Sequence, residues 1–114
     1  MNFLKVLNCI IKEKSLNLPK IAINLSYMKM NVRKPTEVEI EETRHWGNWS
    51  KEKSVFPWSY DMRETCYILE GEAEVKDVEG NKVHFKKGDL VVFEKGLDCT
   101  WEIINPIKKK YKFD

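Results

Sequence analysis

Histidine is nearly absent from these 114 residues: His45 and His84 are the whole supply. That leaves too few imidazoles for the usual nitrogen-rich metal centre. Cysteine is scarce as well. Cys9, Cys66 and Cys99 are an odd count with no C-x-x-C spacing, and they read as reduced thiols of an intracellular protein. A Cys66–Cys99 bridge is the alternative if both face one interior. Charge of one sign is missing too: 20 basic against 18 acidic residues leave a net +2, with both signs spread along the chain. A dedicated nucleic-acid binder would be more basic and more clustered. No apolar run approaches the length needed to span a bilayer as a helix. Internal repeats, low-complexity tracts and long linkers are absent, so one domain with one modest core is expected.

Residues 1–27 stand apart. Phe3, Leu4, Leu7, Ile10 and Ile11 fall at helical spacing, with Lys5, Lys12 and Lys14 between them and Glu13 the only acid nearby. The segment reads either as an organelle-targeting sequence or as an added element packed on the domain. The expected location is otherwise cytoplasmic. From Ile21 onward apolar residues alternate: Ile21, Ile23 and Leu25, then Met28, Met30 and Val32, as one or two strands that end at Lys34-Pro35. Thr36 and Glu39 have capping-box spacing, which predicts a short helix over Thr36–Thr43; alternation through Glu37–Glu41 fits a strand equally well.

The organising stretch is Glu64–Gly71, ETCYILEG, a β-branched and aromatic strand expected to stop at Gly71. A second strand, Glu72–Val78, turns at Glu79–Lys82 into Val83–Phe85. A third unit, Lys87–Phe93, turns at Glu94–Gly96, and the last strands are Thr100–Asn105 and, beyond Pro106, Ile107–Phe113. Val55–Tyr60 adds another strand, preceded by Trp46 and Trp49. Short strands with glycine turns at close spacing predict an all-β sandwich or barrel. The run Lys108-Lys109-Lys110 reads as a solvated edge, where lysines discourage pairing with foreign strands; a phosphate patch is the alternative.

The order ETCYILEG, EAEV and KKGDLVVFEKGLDCTW resembles a cupin, most closely the small single-domain cupins related to the ureidoglycine aminohydrolase and ethanolamine-utilisation branch. The resemblance covers roughly Trp46–Phe113. It implies a jelly-roll β-barrel over residues 28–114, residues 1–27 as an extension, a helix over Thr36–Thr43, and a homodimer. Unpaired strands near residues 20–33 are candidates for exchange between subunits. In the metal-bearing members the resemblance implies ligands at the positions held here by Trp58, Tyr60, Glu64 and Cys99. Only Glu64 keeps a usual ligand identity, with Cys99 available as a thiolate, so no metal and no other cofactor is expected.

Strand residues two apart share a face. With the implied barrel, Trp58, Tyr60, Glu64, Cys66, Cys99 and Trp101 would line one cavity, capped by Trp46 or Trp49. An aromatic box with one carboxylate suits a planar or cationic ligand, through cation–π contacts of about 0.5–2 kcal/mol each. Small barrels also fill their interiors with such side chains, with Tyr60 bonded to Glu64. Three functions follow. The first is a metal-free protein that binds an unidentified small molecule, with no nucleic-acid or membrane partner. The second is a divergent hydrolase or isomerase, like ureidoglycine aminohydrolase, with Glu64 as acid or base. The third is a filled barrel that serves as an interaction scaffold.

Overall fold

Two long strands carry the architecture, and both are bent where a glycine meets a proline. In the computed structural model, which describes residues 29–114, β4 runs unbroken over Glu64–Asp77 and β7 over Asp98–Phe113. They pair antiparallel from Glu64↔Phe113 to Asp77↔Cys99, with register shifts between Ile68 and Ala73. The expected stop at Gly71 is therefore a bulge within one strand. Gly71 has φ +95°, and a Cβ there would lie 2.2 Å from the Pro106 carbonyl oxygen and 2.7 Å from Ile107 Cα. Glycine is needed twice over, for the left-handed backbone and for the close approach. Pro106 likewise does not divide the last strand; it sits at the same irregularity.

The bend sorts the partners into two halves. The first half of β4 pairs with β6 (Leu90–Phe93), and β6 pairs with β1 (Met30–Arg33). The second half of β7 pairs with β2 (Gly47–Lys51). Beyond the bend, β4 pairs with β5 (Lys82–Lys86) and β7 with β3 (Ser54–Ser59). The halves face each other through rings: Phe93 lies 6.0 Å from Phe85 and 5.4 Å from Trp101, centroid to centroid. This is the all-β jelly roll expected. Cys66, Ile68, Ala73, Val75, Val91, Ile103 and Ile107 complete a buried core.

The connection between β1 and β2 is helical, α1 (Glu37–Glu42) followed by a 3-10 turn (Thr43–His45). Both capping-box bonds are present: Thr36 Oγ1 accepts from the Glu39 amide at 3.1 Å, and Glu39 Oε1 accepts from the Thr36 amide at 2.9 Å. The Arg33 guanidinium grips the same Glu39 carboxylate and holds its pKa down to about 2. The expected strand signal over residues 21–28 and both readings of residues 1–27 lie outside the described residues. β1 itself is an edge strand, bonded to β6 alone among the described strands.

One reading of the lysine run is overturned. β7 is an interior strand with neighbours on both sides, so Lys108–Lys110 is no sheet edge. Lys108 is exposed, whereas Lys109 is buried. Lys109 follows the inward parity of Ile107 along the strand.

Gly71→Ala should destabilise the fold by more than the roughly 1–3 kcal/mol of its backbone conformation alone, because the added carbon also strikes backbone atoms. Gly80→Ala meets nothing within 4 Å and should cost only about 1–2 kcal/mol. Urea unfolding midpoints of the two variants check the ranking; equal losses would contradict it.

Candidate functional site

At one end of the barrel the core gives way to a cavity of about 200 Å³. Its wall is formed by Trp49, Phe56, Trp58, Trp101, Tyr111 and Phe113, and its polar groups are Tyr60, Glu64 and Lys109. Liquid water takes about 30 Å³ per molecule, so the space equals some six or seven waters. Each wall residue is placed by strand parity. Glu64, at the start of β4, points inward with Cys66 and Ile68. On β7, Lys109, Tyr111 and Phe113 follow the same alternation, and Trp49 of β2 stands directly across from Lys109. Tyr60 lies just past β3, held by two backbone bonds, Tyr60 N–H to Leu97 O at 2.8 Å and Gly96 N–H to Tyr60 O at 2.7 Å. The tight turn at Gly96 thus aims the Tyr60 ring.

The polar floor is a three-membered chain. Tyr60 Oη donates to Glu64 Oε1 at 2.7 Å, and Lys109 Nζ lies 2.7 Å from Glu64 Oε2. Both charged side chains are buried, 7% exposed for Lys109 and 3% for Glu64. The ammonium also stands 4.6 Å from the centroids of Trp49 and of Trp101. An ammonium has three N–H donors. One faces the carboxylate, and two indole faces are in reach of the others. Charges buried this way persist only when paired and bonded, and here both oxygens of Glu64 have a donor. Burial, then the Glu64 charge and the bond donated to it, push the Tyr60 hydroxyl far above the ordinary phenol range, so it stays protonated. Its ring stacks on Phe93 at 5.2 Å.

Of the six residues the sequence singles out, Trp58, Tyr60, Glu64 and Trp101 stand on the cavity wall. Trp58 is 48% exposed and sits at the mouth, edge-on to Tyr60 at 6.4 Å. The two thiols do not reach the wall. Cys66 is fully buried in the core. The Cys99 sulfur turns to the backbone carbonyl of Trp58 at 3.5 Å. Both are free, so the alternative Cys66–Cys99 bridge is not formed. Burial pushes the Cys66 thiol up to about 12 and the Cys99 thiol up to about 11. Trp49 closes the cavity, as one of the two proposed caps, while Trp46 stands against Lys112 instead, with Nζ 5.2 Å from its ring centroid. Lys109, Phe56, Tyr111 and Phe113 were not anticipated. The signal for Lys109 and its neighbours is the period-two series Ile107, Lys109, Tyr111, Phe113, which continues the inward face of Cys99, Trp101 and Ile103.

The donor set does not fit a metal. At the implied ligand positions stand Trp58, Tyr60, Glu64 and Cys99. Glu64 is committed to Tyr60 and Lys109, and a lysine ammonium already occupies the space beside it, where a second cation would be repelled. Among the described residues no group of three or more His, Cys, Asp or Glu is arranged to hold an ion.

A bent jelly roll with a cavity at the mouth of the barrel, lined from both halves, defines a cupin. The chain belongs to the EutQ-like cupin domain family, whose profile matches residues 38–111. A DUF861 family protein from Thermotoga maritima is 45% identical, with a TM-score of 0.72 over 75% of this chain and 99% of that one. A putative ethanolamine utilization protein Q from Salmonella typhimurium is 22% identical, with a TM-score of 0.55 over 75% of this chain and 58% of that one. The EutQ protein of Clostridium difficile is 19% identical, with a TM-score of 0.55 over 74% and 66%. These last two share the fold. No curated protein matches the chain.

Removing one charge of the floor should be costly. Glu64→Gln leaves the Lys109 ammonium buried without a counter-charge, an expected loss of about 3–5 kcal/mol in urea unfolding. Adding Lys109→Met to it should restore most of that loss. A Glu64→Gln protein as stable as the parent would show that the pair is not desolvated in solution.

The thiols make a second prediction. Folding favours their neutral forms, so by linkage this contribution is complete below the ordinary thiol pKa. It is lost as pH rises through about 11 for Cys99 and about 12 for Cys66. Iodoacetamide near neutral pH should leave both unmodified in the folded protein and alkylate both in urea, read by peptide mass mapping. Rapid alkylation of either in the folded state would contradict their placement.

Proposed function

We propose that this chain is a small-molecule-binding cupin whose ligand is planar, uncharged, and carries a hydrogen-bond acceptor beside a donor on one edge. The observation behind this reading is that the floor of the aromatic cavity is already neutral. A cationic ligand would find its aromatic niche taken, because the Lys109 ammonium stands against both Trp49 and Trp101. An isolated anion would have to compete with Glu64 for that ammonium. An amide-like edge avoids both conflicts: its carbonyl can accept from Lys109 and its N–H can donate to Glu64, leaving the ion pair intact. Ring walls on several sides supply apolar burial, the usual source of affinity in such pockets.

A second reading has its own support. Glu64 joins a protonated phenol to an ammonium within hydrogen-bond distance, a chain through which a proton can move. That favours a hydrolase or isomerase with Glu64 as acid or base, in keeping with the sequence resemblance to ureidoglycine aminohydrolase.

Thermal unfolding with two probes of similar size, one a neutral amide and one a cation, tests the ligand class. Benzamide should raise Tm; at a hundred times its Kd the gain is about 2.7 kcal/mol. Benzylammonium should not, and Trp58→Ala, a change at the exposed mouth, should weaken the benzamide effect. No shift with benzamide, or an equal shift with benzylammonium, would overturn the reading.

A further inference from the structure

Lys109 is not only a charge and a hydrogen-bond donor but also an amine at the floor of a cavity. Lys109 lines the cavity, and its side chain is otherwise almost wholly buried. Among the described residues its one polar partner is the Glu64 carboxylate at 2.7 Å. The two indole faces, each 4.6 Å from Nζ, attract positive charge without supplying any base or nucleophile of their own. A buried lysine paired with a carboxylate that can take up and return its proton brings together the nitrogen and the proton carrier that imine formation needs.

We propose that Lys109 forms an imine with a small planar aldehyde or ketone held in this cavity. The inference rests on the cavity being a ligand site. The ammonium passes a proton to Glu64, and the freed nitrogen lone pair attacks the carbonyl carbon. The C=O π pair moves to oxygen, which takes that proton from Glu64. A second N–H proton then travels by the same carboxylate to the hydroxyl of the carbinolamine. The C–O bond breaks, water leaves, and the C=N bond closes. Of the three ammonium hydrogens, two depart in the water and one stays on nitrogen. Carbonyl plus ammonium thus give iminium plus water, with one positive charge on each side. That charge remains beside Glu64 and between Trp49 and Trp101, so the cage that holds the ammonium holds the product equally well. Tyr60, bonded to the other oxygen of Glu64, positions the carboxylate and has no contact with nitrogen in this scheme.

The wild-type protein suffices for the test. It is incubated with limiting benzaldehyde and cyanoborohydride, which reduces any iminium to a stable benzylamine, and each lysine is read by tandem mass spectrometry. Lys109 should be labelled ahead of the exposed Lys53 and Lys87, and benzamide at ten times its Kd should slow that labelling by about tenfold. Labelling of Lys109 no faster than of Lys53 and Lys87, or unaffected by benzamide, overturns the proposal. The parallel Tm measurement separates the two failures. If benzamide still stabilises the protein, the binding reading survives without the imine; if it does not, both fall.

Discussion

A carboxylate and an ammonium at 2.7 Å, closed in by indole rings, is the contact on which the barrel mouth depends. Neither charge could be buried without the other. Glu64 opens β4 and Lys109 lies near the end of β7, so the pair ties together the two strands that span both halves of the barrel. Tyr60 joins the same carboxylate from beyond β3, and Trp49 joins the ammonium from β2. Four elements therefore meet at one neutralised pair. The rings that wall it serve the fold and the cavity at once: Trp101 stacks on Phe56 at 6.0 Å and meets Phe85 and Phe93 in the core.

The same pair accounts for the change in chemistry relative to metal-bearing cupins. A metal ion is a mobile cation that needs several donors converging on a point. Lys109 brings a tethered cation to the one carboxylate that remains, with its charge fixed in place by the backbone of β7. Trp58 and Tyr60 stand at positions where the resemblance implies metal ligands, while the ammonium itself is held by two other rings, Trp49 and Trp101. Cys66 and Cys99 withdraw from this site for a simple reason. A thiol gains little from facing an ion pair and packs readily as a small apolar group.

Much of the fold was legible in the residues. Period-two alternation located the strands, and glycines at Gly80 and Gly96 marked the turns; the Thr36–Glu39 spacing offered a helix start that competed with a strand until the resemblance implied the helix, and both capping bonds are present. Gly71 misled because a left-handed glycine is required both where a strand ends and where it bulges, and only the partner strand distinguishes the two. For the site, strand parity grouped Trp58 with Tyr60, Glu64 with Cys66, and Cys99 with Trp101, the cupin resemblance implied that these faces turn inward, and the Tyr60–Glu64 bond belonged to the filled-barrel reading. Lys109 was hidden by its neighbours: three lysines in a row look solvated, although strand geometry turns the middle one the opposite way from the other two.

The pairing of β4 with β7 also has a kinetic meaning. Glu64 meets Phe113, and everything between them in the chain, including β5 and β6, is an excursion enclosed by that pair. No half of the barrel can be completed from neighbouring residues alone, because each half borrows a segment of both long strands. Ordering must therefore wait for a contact between distant parts of the chain, with its loop-closure entropy paid before most of the reward is collected. Such a protein should assemble slowly and all at once. The cavity, which needs the last turns of that long-range zipper, would be among the features present only in the finished molecule.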